Sequence, residues 1–250
     1  MGKIVAIGGG IIGKKGRDAV TREIDQETIA LTGKANPKLL FLPTASDDSK
    51  SYCFLVRKYF GGKLGCKTDN LLLLKEEYSK EELERKILEA DIIYVGGGNT
   101  LKMMQVWKKF GVDEILKMAY EKGIVLSGVS SGSICWFDWG NSDSQKFEDG
   151  SDKLMKVQGL GLIPALHCPH YDVEAHRQDD LKEMMKNVFE IPAIALDNCA
   201  AIEIVDDKYR IIKSKLDAKA YKIFWKKDKF YKEEIVSKEE YASLEGLLKK

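Results

Sequence analysis

Short apolar runs recur along the first 130 residues of the chain, and each is followed by glycine or by polar residues. The runs lie at residues 3–7, 37–42, 70–74, 91–95 and 124–126. Helical spacing of apolar residues marks several of the stretches between them. Strands that alternate with helices favour βαβ units, in which neighbouring strands are parallel. The sequence therefore predicts an α/β fold with a mainly parallel sheet, and functional groups are expected at the carboxyl ends of its strands.

Capping residues and apolar spacing place the helices of this fold. They are predicted at residues 25–31 with Asp25 as the N-cap, 52–60, 79–90 with Ser79 as the N-cap, 112–120, 178–189 and 238–248. A polar stretch at 141–158 is interpreted as a loop, and 160–166 as a sixth strand. From residue 201, short alternating strands with charged turns indicate an antiparallel extension at the sheet edge. No linker or repeat interrupts the pattern, which predicts one domain over residues 1–250.

Charge and cysteine usage exclude several classes of protein. The chain has 40 Lys and Arg against 39 Asp and Glu, and this balance gives no support to nucleic-acid or membrane-surface binding. The five cysteines are scattered without metal-ligand spacing, as expected for reduced thiols. The first residues lack the apolar run of a signal peptide, and no apolar stretch reaches the length of a membrane span. We therefore expect a cytoplasmic protein with no metal or organic cofactor.

The strongest local motif is Gly128-Val129-Ser130-Ser131-Gly132, which fits G-x-S-x-G directly after an apolar run. This pattern places a serine on a tight strand-to-helix turn, where side chains in place of the glycines would crowd the backbone. The turn exposes the serine hydroxyl, and the N–H of the next residue points to where an oxyanion would form. Ser130 is the candidate nucleophile and Ser131 N–H the candidate oxyanion donor. The alternative interpretation is an ordinary glycine- and serine-rich loop.

A serine hydroxyl needs a base, and the chain has only three histidines. His170 follows Pro169 at the end of a strand-like run, so we expect it at the same sheet edge as Ser130. His167 would lie inside that strand as a packed core residue. His176 begins the following helix, where a cap or a surface position is the simpler interpretation. His170 is therefore the candidate base.

A second class of function is suggested by Gly8, Gly10 and Gly13, which satisfy the G-x-G-x-x-G dinucleotide fingerprint after the first strand. The residues that follow Gly13 lack the apolar stripe of a helix, and no acidic strand end comes about 20 residues later. A glycine loop at the end of the first strand explains the pattern equally well. A non-catalytic nucleotide or small-molecule binder remains the alternative to an enzyme.

Three motifs in this order resemble the peptidase E family of serine peptidases, also called aspartyl dipeptidases or family S51, which is related to cyanophycinase. They are GGGNT at 96–100, GVSSGS at 128–133 and PHY at 169–171, and the resemblance covers about residues 1–205. It implies a flavodoxin-like, class I glutamine-amidotransferase-like three-layer sandwich. It also implies hydrolysis without a cofactor, with Ser130 as nucleophile, His170 as base, and Gly98 and Ser131 as oxyanion donors.

The acid of the implied triad is less clear. In peptidase E it is an aspartate shortly after the elbow helix, and a gap-free count from Ser130 falls on Gln145, which cannot serve. Asp143 lies two residues earlier and is the candidate. The alternatives are Asp138, Glu148 and Asp197; Glu148 is kept because cyanophycinase uses a glutamate further downstream. The family elbow usually has alanine where this chain has Ser131, and we expect little effect from that change.

Substrate specificity depends on one arginine. In peptidase E an arginine after the catalytic histidine is associated with the aspartyl side chain of the substrate, and Arg177 matches it. The expected substrate is a small peptide with an N-terminal Asp (Asp-X), and the expected assembly is a monomer or homodimer. A cyanophycinase-like or other acidic-peptide hydrolase is the runner-up. A lipase-type hydrolase fits poorly, since no histidine follows His176.

Overall fold

The computed structural model describes residues 2–13, 19–173, 175–188 and 190–250. The strands are β1 (Lys3–Ile7), β2 (Lys38–Leu42), β3 (Lys67–Asn70), β4 (Ile92–Val95), β5 (Val125–Val129), β6 (Phe137–Ser142), β7 (Met155–Gln158), β8 (Ile163–Cys168), β9 (Ala193–Leu196), β10 (Ala200–Val205), β11 (Lys208–Lys213), β12 (Ala220–Lys226), β13 (Lys229–Glu234) and β14 (Ala242–Ser243). The helices are α1 (Arg22–Ala30), α2 (Lys50–Val56), α3 (Lys80–Leu88), α4 (Thr100–Phe110), α5 (Val112–Glu121), α6 (Ser131–Ile134), α7 (Ser144–Asp149), α8 (Ala175–Lys186) and α9 (Leu244–Leu248).

The first sheet contains eight strands in the order β14-β11-β10-β1-β5-β4-β2-β3. Its five strands from β1 to β3 pair in parallel, as the alternation of apolar runs and helices predicts. Such strands have both faces covered, and every residue of β5 is buried. On the other side of β1, the strands β10, β11 and β14 pair antiparallel, which agrees with the predicted extension.

A second sheet, with the order β13-β12-β9-β8-β6-β7, corrects the prediction of one mainly parallel sheet with an edge extension. Only β6, β8 and β9 pair in parallel there, and β7, β12 and β13 are antiparallel. The fold is therefore a mixed α/β architecture with two sheets. The stretch predicted as a loop at 141–158 contains the end of β6, α7 and β7. The sequence of β6, FDWGNS, has no apolar run that would mark a strand.

Three helix and strand predictions also need correction. Asp25 does not cap a helix but lies buried inside α1, which begins three residues earlier. The third strand ends at Asn70, where the prediction began it, because the apolar residues that follow pack from a loop instead. The final helix is shorter than predicted and starts at Leu244, after β14. In contrast, α3 begins as predicted, with Ser79 and Glu82 forming a reciprocal capping box.

One large apolar core joins the two sheets. It contains Ile4 and Leu126 of the first sheet, Ile163 and Ile194 of the second, and the fully buried Trp136 after α6. Burial of such side chains stabilises the fold by roughly 1.5–3 kcal/mol each before the entropy of ordering is counted. Within the described residues, no helix combines the length and apolar character needed to cross a membrane. The shared core fixes the strand ends that carry the candidate site.

Candidate active site

Ser130 links β5 to α6 in a backbone conformation that L-residues rarely adopt, with φ 58° and ψ −118°. The flanking glycines make the turn possible. A Cβ at Gly128 would lie 2.2 Å from the carbonyl oxygen of Gly132, and a Cβ at Gly132 would lie 2.1 Å from that of Val95. The Ser130 side chain is neither buried nor fully exposed. This is the strand-to-helix geometry that the G-x-S-x-G pattern predicts.

Ser130 and His170 are both attached to the carboxyl end of β1. The N–H of Ser130 donates to the carbonyl of Ile7 at 3.2 Å, and the N–H of His170 donates to the carbonyl of Gly8 at 2.9 Å. Two successive carbonyl groups of one strand therefore hold the two residues. His170 also has a positive φ, 53°, and its side chain is half-buried. The sheet edge brings the candidate nucleophile and base into one region, as expected for strand ends in an α/β fold.

The imidazole of His170 has a defined partner, Asn198, which follows β9. The distance from His170 Nδ1 to Asn198 Oδ1 is 2.7 Å. With the amide oxygen as acceptor, Nδ1 carries the proton and Nε2 presents a lone pair, which is the form that a general base requires. Asn198 is in turn held by its backbone N–H, which donates to Asp172 Oδ1 at 2.8 Å.

The glycine cluster after β1 makes room for this contact. A Cβ at Gly9 would lie 1.8 Å from Asn198 Oδ1 and 2.4 Å from His170 Nδ1, so no side chain fits there. The carbonyl of Gly9 also accepts the N–H of Cys199 at 2.9 Å. Close approach to the histidine and asparagine explains Gly9, which lies between two positions of the dinucleotide fingerprint. At those two positions, a Cβ at Gly8 would lie 2.5 Å from the carbonyl oxygen of Asp197, and a Cβ at Gly10 would lie 2.6 Å from Thr21 Cγ2. Residues 14–18, which follow Gly13, lie outside the described residues.

The two candidate oxyanion donors, Gly98 and Ser131, are in direct contact. The Ser131 hydroxyl accepts the N–H of Gly98 at 3.2 Å and lies 2.5 Å from the Gly98 carbonyl oxygen, to which it donates. Ser131 is the first residue of α6, so its own N–H belongs to the first turn, where the helix provides no carbonyl to accept it. The Ser131 side chain therefore contacts the Gly98 N–H that the sequence predicts as an oxyanion donor, and the expected small effect of serine at this position stays a prediction.

The acidic candidates lie in different places. Gly140 pairs with His167 in the parallel ladder of β6 and β8. Asp143 follows the carboxyl end of β6 as the N-cap of α7, and His170 follows the carboxyl end of β8. Asp138 lies five residues before Asp143, roughly 16 Å away along an extended chain, near the amino end of β6. Asp143 therefore stays a prediction, and Asp138 lies at the wrong end of the strand.

Of the other two acidic candidates, Asp197 makes a different contact and Glu148 faces solvent. The Asp197 carboxylate accepts the backbone N–H of Lys219 at 2.9 Å, and burial raises its pKa to about 6. Glu148 is exposed on α7. Among the described residues, no group of three or more His, Cys, Asp or Glu side chains is arranged to hold a metal ion.

Arg177 lies in α8 and is buried, with 2% of its surface exposed. Its Nη1 donates to the backbone carbonyl and to Oδ1 of Asn141, both at 3.2 Å. Asn141 is the last but one residue of β6, so the guanidinium lies close to the carboxyl ends of β6 and β8. The surface position that a helix-start arginine would usually take is thereby excluded.

The other two histidines have the surroundings that the sequence predicts. His167 is fully buried inside β8 and contacts Ser133, while His176 is exposed at the start of α8. The sequence interpretation missed Asn198, because it considered only carboxylates as partners of the histidine and therefore chose the neighbouring residue, Asp197. The position of Asn198 directly after a short apolar run, at a predicted strand end, is the signal that could have found it.

Comparison with known proteins identifies the family of the chain. The profile of peptidase family S51 matches residues 4–212. The uncharacterized peptidase YgaJ of Bacillus subtilis (strain 168) is 34% identical over 226 residues, covering 89% of this chain and 92% of that relative. Peptidase E of Streptomyces coelicolor is 22% identical over 199 residues, 75% of this chain and 76% of its own length.

Solved structures show the same fold. A peptidase from an acI-B1 actinobacterium superposes with a TM-score of 0.73 at 18% identity, covering 97% of both chains. A putative peptidase E from Listeria monocytogenes EGD-e gives a TM-score of 0.61 at 20% identity, covering 85% of this chain and 98% of that one. Together with the family profile and the 34% identical relative, which establish the family, these matches lead to one conclusion: the chain belongs to peptidase family S51 and is a peptidase of the peptidase E type.

Proposed function

We propose that this peptidase hydrolyses dipeptides with an N-terminal Asp, and that Ser130 is its nucleophile. The observation that carries the proposal is the left-handed backbone of Ser130 at the turn between β5 and α6. Such strain persists only where the surrounding structure enforces it, and it is common at functional sites. Here Gly128 and Gly132 permit the close approach of the backbone, and hydrogen bonds of the Ser130 N–H to Ile7 and of the Ser133 N–H to the Ser130 carbonyl hold the turn.

His170 acts as the base in this proposal. Asn198 Oδ1 accepts the Nδ1 proton, which leaves Nε2 to take the proton of the Ser130 hydroxyl as Oγ attacks the peptide carbonyl. The imidazolium then gives this proton to the leaving amine, and the C–N bond breaks. A water, deprotonated by the same nitrogen, hydrolyses the aspartyl ester and restores the serine. Asn198 is neutral, so it orients the ring without a full charge to stabilise the imidazolium.

The N–H groups of Ser131 and Gly98 stabilise the oxyanion of the tetrahedral intermediate. The Ser131 hydroxyl accepts the Gly98 N–H in the absence of substrate. For Gly98 to donate to an oxyanion, this 3.2 Å bond has to lengthen, and the hydroxyl keeps its shorter bond to the Gly98 carbonyl. Ser131 thus holds the Gly98 peptide in a fixed orientation until the intermediate forms.

Arg177 is proposed to select the aspartyl side chain. A guanidinium binds a carboxylate with two parallel N–H donors, which a neutral side chain cannot match. Burial strengthens this preference, because the low dielectric around a buried cation increases its attraction for an anion. The bonds to Asn141 fix one edge of the guanidinium near the ends of β6 and β8.

A panel of Asp-X, Asn-X and Ala-X dipeptides tests the proposal with the wild type, Arg177→Met and Arg177→Lys. We expect the wild type to prefer Asp-X. Arg177→Met should lower kcat/KM for Asp-X by about 2–5 kcal/mol more than for Asn-X, and Arg177→Lys should recover part of the loss because it keeps the charge but not the planar fork. Equal cleavage of Ala-X and Asp-X by the wild type would exclude the aspartyl specificity. An equal loss on all three substrates would show that Arg177 is structural.

A further inference from the structure

A second serine and histidine, Ser133 and His167, are in contact with each other and take no part in the mechanism proposed above. His167 is fully buried, and its Nε2 lies 2.8 Å from Ser133 Oγ. Its Nδ1 lies 2.9 Å from the carbonyl oxygen of Ile194. The ring stacks on Phe137 with a centroid distance of 4.5 Å and an angle of 14°. Both ring nitrogens and one ring face are therefore held by three different segments of the chain.

These contacts determine where the proton of His167 lies. A carbonyl oxygen only accepts, so Nδ1 carries the proton and donates to Ile194, which leaves Nε2 as an acceptor for the Ser133 hydroxyl. Ser133 Oγ also lies 2.7 Å from the carbonyl of Ser130, but that oxygen already accepts the N–H groups of Ser133 and Ile134 at 2.9 and 3.1 Å. Burial lowers the pKa of His167 to about 3, so the ring stays neutral at ordinary assay pH.

The segments of Ser133 and Ile194, together with the segment of His167 itself, carry the residues of the proposed chemistry. Ser133 lies three residues after Ser130 in the turn of α6. His167 lies three residues before His170 in the chain that leaves β8. Ile194 lies in β9, four residues before Asn198. One imidazole therefore connects the segments of the nucleophile, the base and the partner of the base.

We propose that His167 is a positioning residue: through Ser133 and Ile194 it sets the relative placement of Ser130, His170 and Asn198. The inference rests on the proposed function, since it concerns the geometry of that same site. Catalytic groups have to be held within about 0.5 Å of their productive positions, and a displacement of about 1 Å can cost on the order of 100-fold in rate. A buried ring with two directional bonds resists such displacement better than apolar packing alone.

Two variants remove the connection from opposite sides. His167→Phe keeps an aromatic ring to stack on Phe137 but loses both hydrogen bonds. Ser133→Ala keeps the bond to Ile194 but loses the bond to Nε2 and the 2.7 Å contact of Ser133 Oγ with the carbonyl of Ser130. We expect kcat for Asp-X to fall roughly 10- to 100-fold in His167→Phe and somewhat less in Ser133→Ala, with KM within about threefold of wild type. In the double variant the effects should be strongly non-additive, because both changes break the same contact. His167→Gln, which offers an acceptor to Ser133, should recover part of the rate.

A control separates positioning from loss of stability. Thr28→Val removes a buried hydrogen bond in α1, from Thr28 Oγ1 to the carbonyl of Ile24 at 3.0 Å, at a residue with no part in the site. Thr28→Val should lower Tm, as we also expect for the His167 variants, because each change removes a buried hydrogen bond. The kcat of Thr28→Val should stay unchanged at temperatures well below its Tm. If His167→Phe and Ser133→Ala also keep the wild-type kcat below their Tm, His167 is only structural and the inference is wrong.

Nitrogen-15 NMR tests the same inference without substrate. Wild-type His167 should show the Nδ1–H tautomer with no titration between pH 5 and 8, and the ring signals of His170 should shift in both His167→Phe and Ser133→Ala. An Nε2–H tautomer, a titrating His167 or unmoved His170 signals would overturn the inference. If the NMR result is as expected but Ser130→Ala remains active, the proposed function fails and the connection itself stands.

Discussion

The protein contains two sets of serine and histidine residues on the same pair of segments. The outer set is Ser130 and His170, and the inner set is Ser133 and His167, three residues deeper on each segment. Both outer residues have positive φ values, 58° and 53°, and half-buried side chains. Both inner residues are fully buried, in helix α6 and strand β8.

Residue type is the same in both sets, so the proposal that Ser130 and His170 react depends on the difference in their surroundings. The inner hydroxyl and imidazole satisfy one another and the carbonyl of Ile194, so no polar atom of the ring is left for a substrate. The outer residues lie where strands end, and the backbone there is strained in a way that regular structure avoids. Ser130 and His170 are thus suited to chemistry, and Ser133 and His167 to support.

The largest effect that the comparison predicts is that of His170→Ala. Loss of the base in a serine hydrolase costs about a millionfold in kcat, so activity on Asp-X should fall to the detection limit. His176→Ala, at an exposed histidine six residues later, is the matched control and should retain wild-type kcat/KM. If His170→Ala keeps more than a tenth of the activity, the outer histidine is not the base.

A smaller effect is predicted for Asn198→Ala, which removes the partner of His170 Nδ1. We expect a loss of roughly 10- to 100-fold in kcat, well below the ~10⁴-fold cost of a misdirected histidine in a Ser-His-Asp site, because a neutral amide provides orientation but no charge. Asn198→Asp should keep most of the rate and move the acidic limb of the pH–kcat profile to higher pH. The reason is that a carboxylate at this position favours the imidazolium.

Asp143→Asn tests which residue, Asp143 or Asn198, supports His170 during the reaction. If the carboxylate predicted from the sequence stabilises the imidazolium, kcat should fall by about 10⁴-fold and Asn198→Ala should be nearly neutral. The contact between His170 Nδ1 and Asn198 Oδ1 favours the opposite result, in which kcat falls further in Asn198→Ala than in Asp143→Asn. Steady-state kinetics of both variants on Asp-X provides the comparison.

The smallest effect on activity is predicted for Asp25, a fully buried carboxyl of α1 that belongs to neither set. Burial raises its pKa to about 7, against hydrogen bonds from Thr21 and Tyr59 that lower it. Between about pH 4 and 7 the folded state holds a proton that the unfolded chain has lost, so this group makes the free energy of unfolding fall as pH rises through that window.

Asp25→Asn should remove this pH dependence and raise Tm at pH 8, where the native carboxylate is charged and buried. The free energy of unfolding at pH 8 should rise by an amount on the order of 1–4 kcal/mol, since each pKa unit corresponds to about 1.4 kcal/mol. The rate on Asp-X should stay within twofold. Thermal melts at pH 5 and pH 8 check the prediction, and an unchanged or lower Tm at pH 8 would contradict it.

The sequence predicts much of the first sheet and of the site, because local rules determine both. Buried parallel strands appear as apolar runs, and a serine elbow needs glycines where Gly128 and Gly132 stand. The separate roles of His167 and His170 also follow from their positions within and after a strand. These features depend on residues that are close in the chain.

The second sheet and Asn198 could not be predicted in this way. Strand β6 has the sequence FDWGNS and is stabilised by its neighbours β7 and β8, so its local pattern resembles a turn. Asn198 contacts a histidine 28 residues earlier in the chain, across a space that only Gly9 leaves open. The sequence search looked for a carboxylate, and the signal of Asn198, its position after a short apolar run, applies equally to its neighbour Asp197.

Paired kinetics of Ser130→Ala and Ser133→Ala test the central claim most directly, since the two serines are three residues apart and each change replaces one hydroxyl group by a hydrogen. The account predicts that Ser130→Ala loses about a millionfold in kcat on Asp-X while remaining folded, and that Ser133→Ala loses less than about 100-fold. Near-normal turnover by Ser130→Ala, or a loss in Ser133→Ala equal to that in Ser130→Ala, would contradict the division of roles between the outer and inner sets.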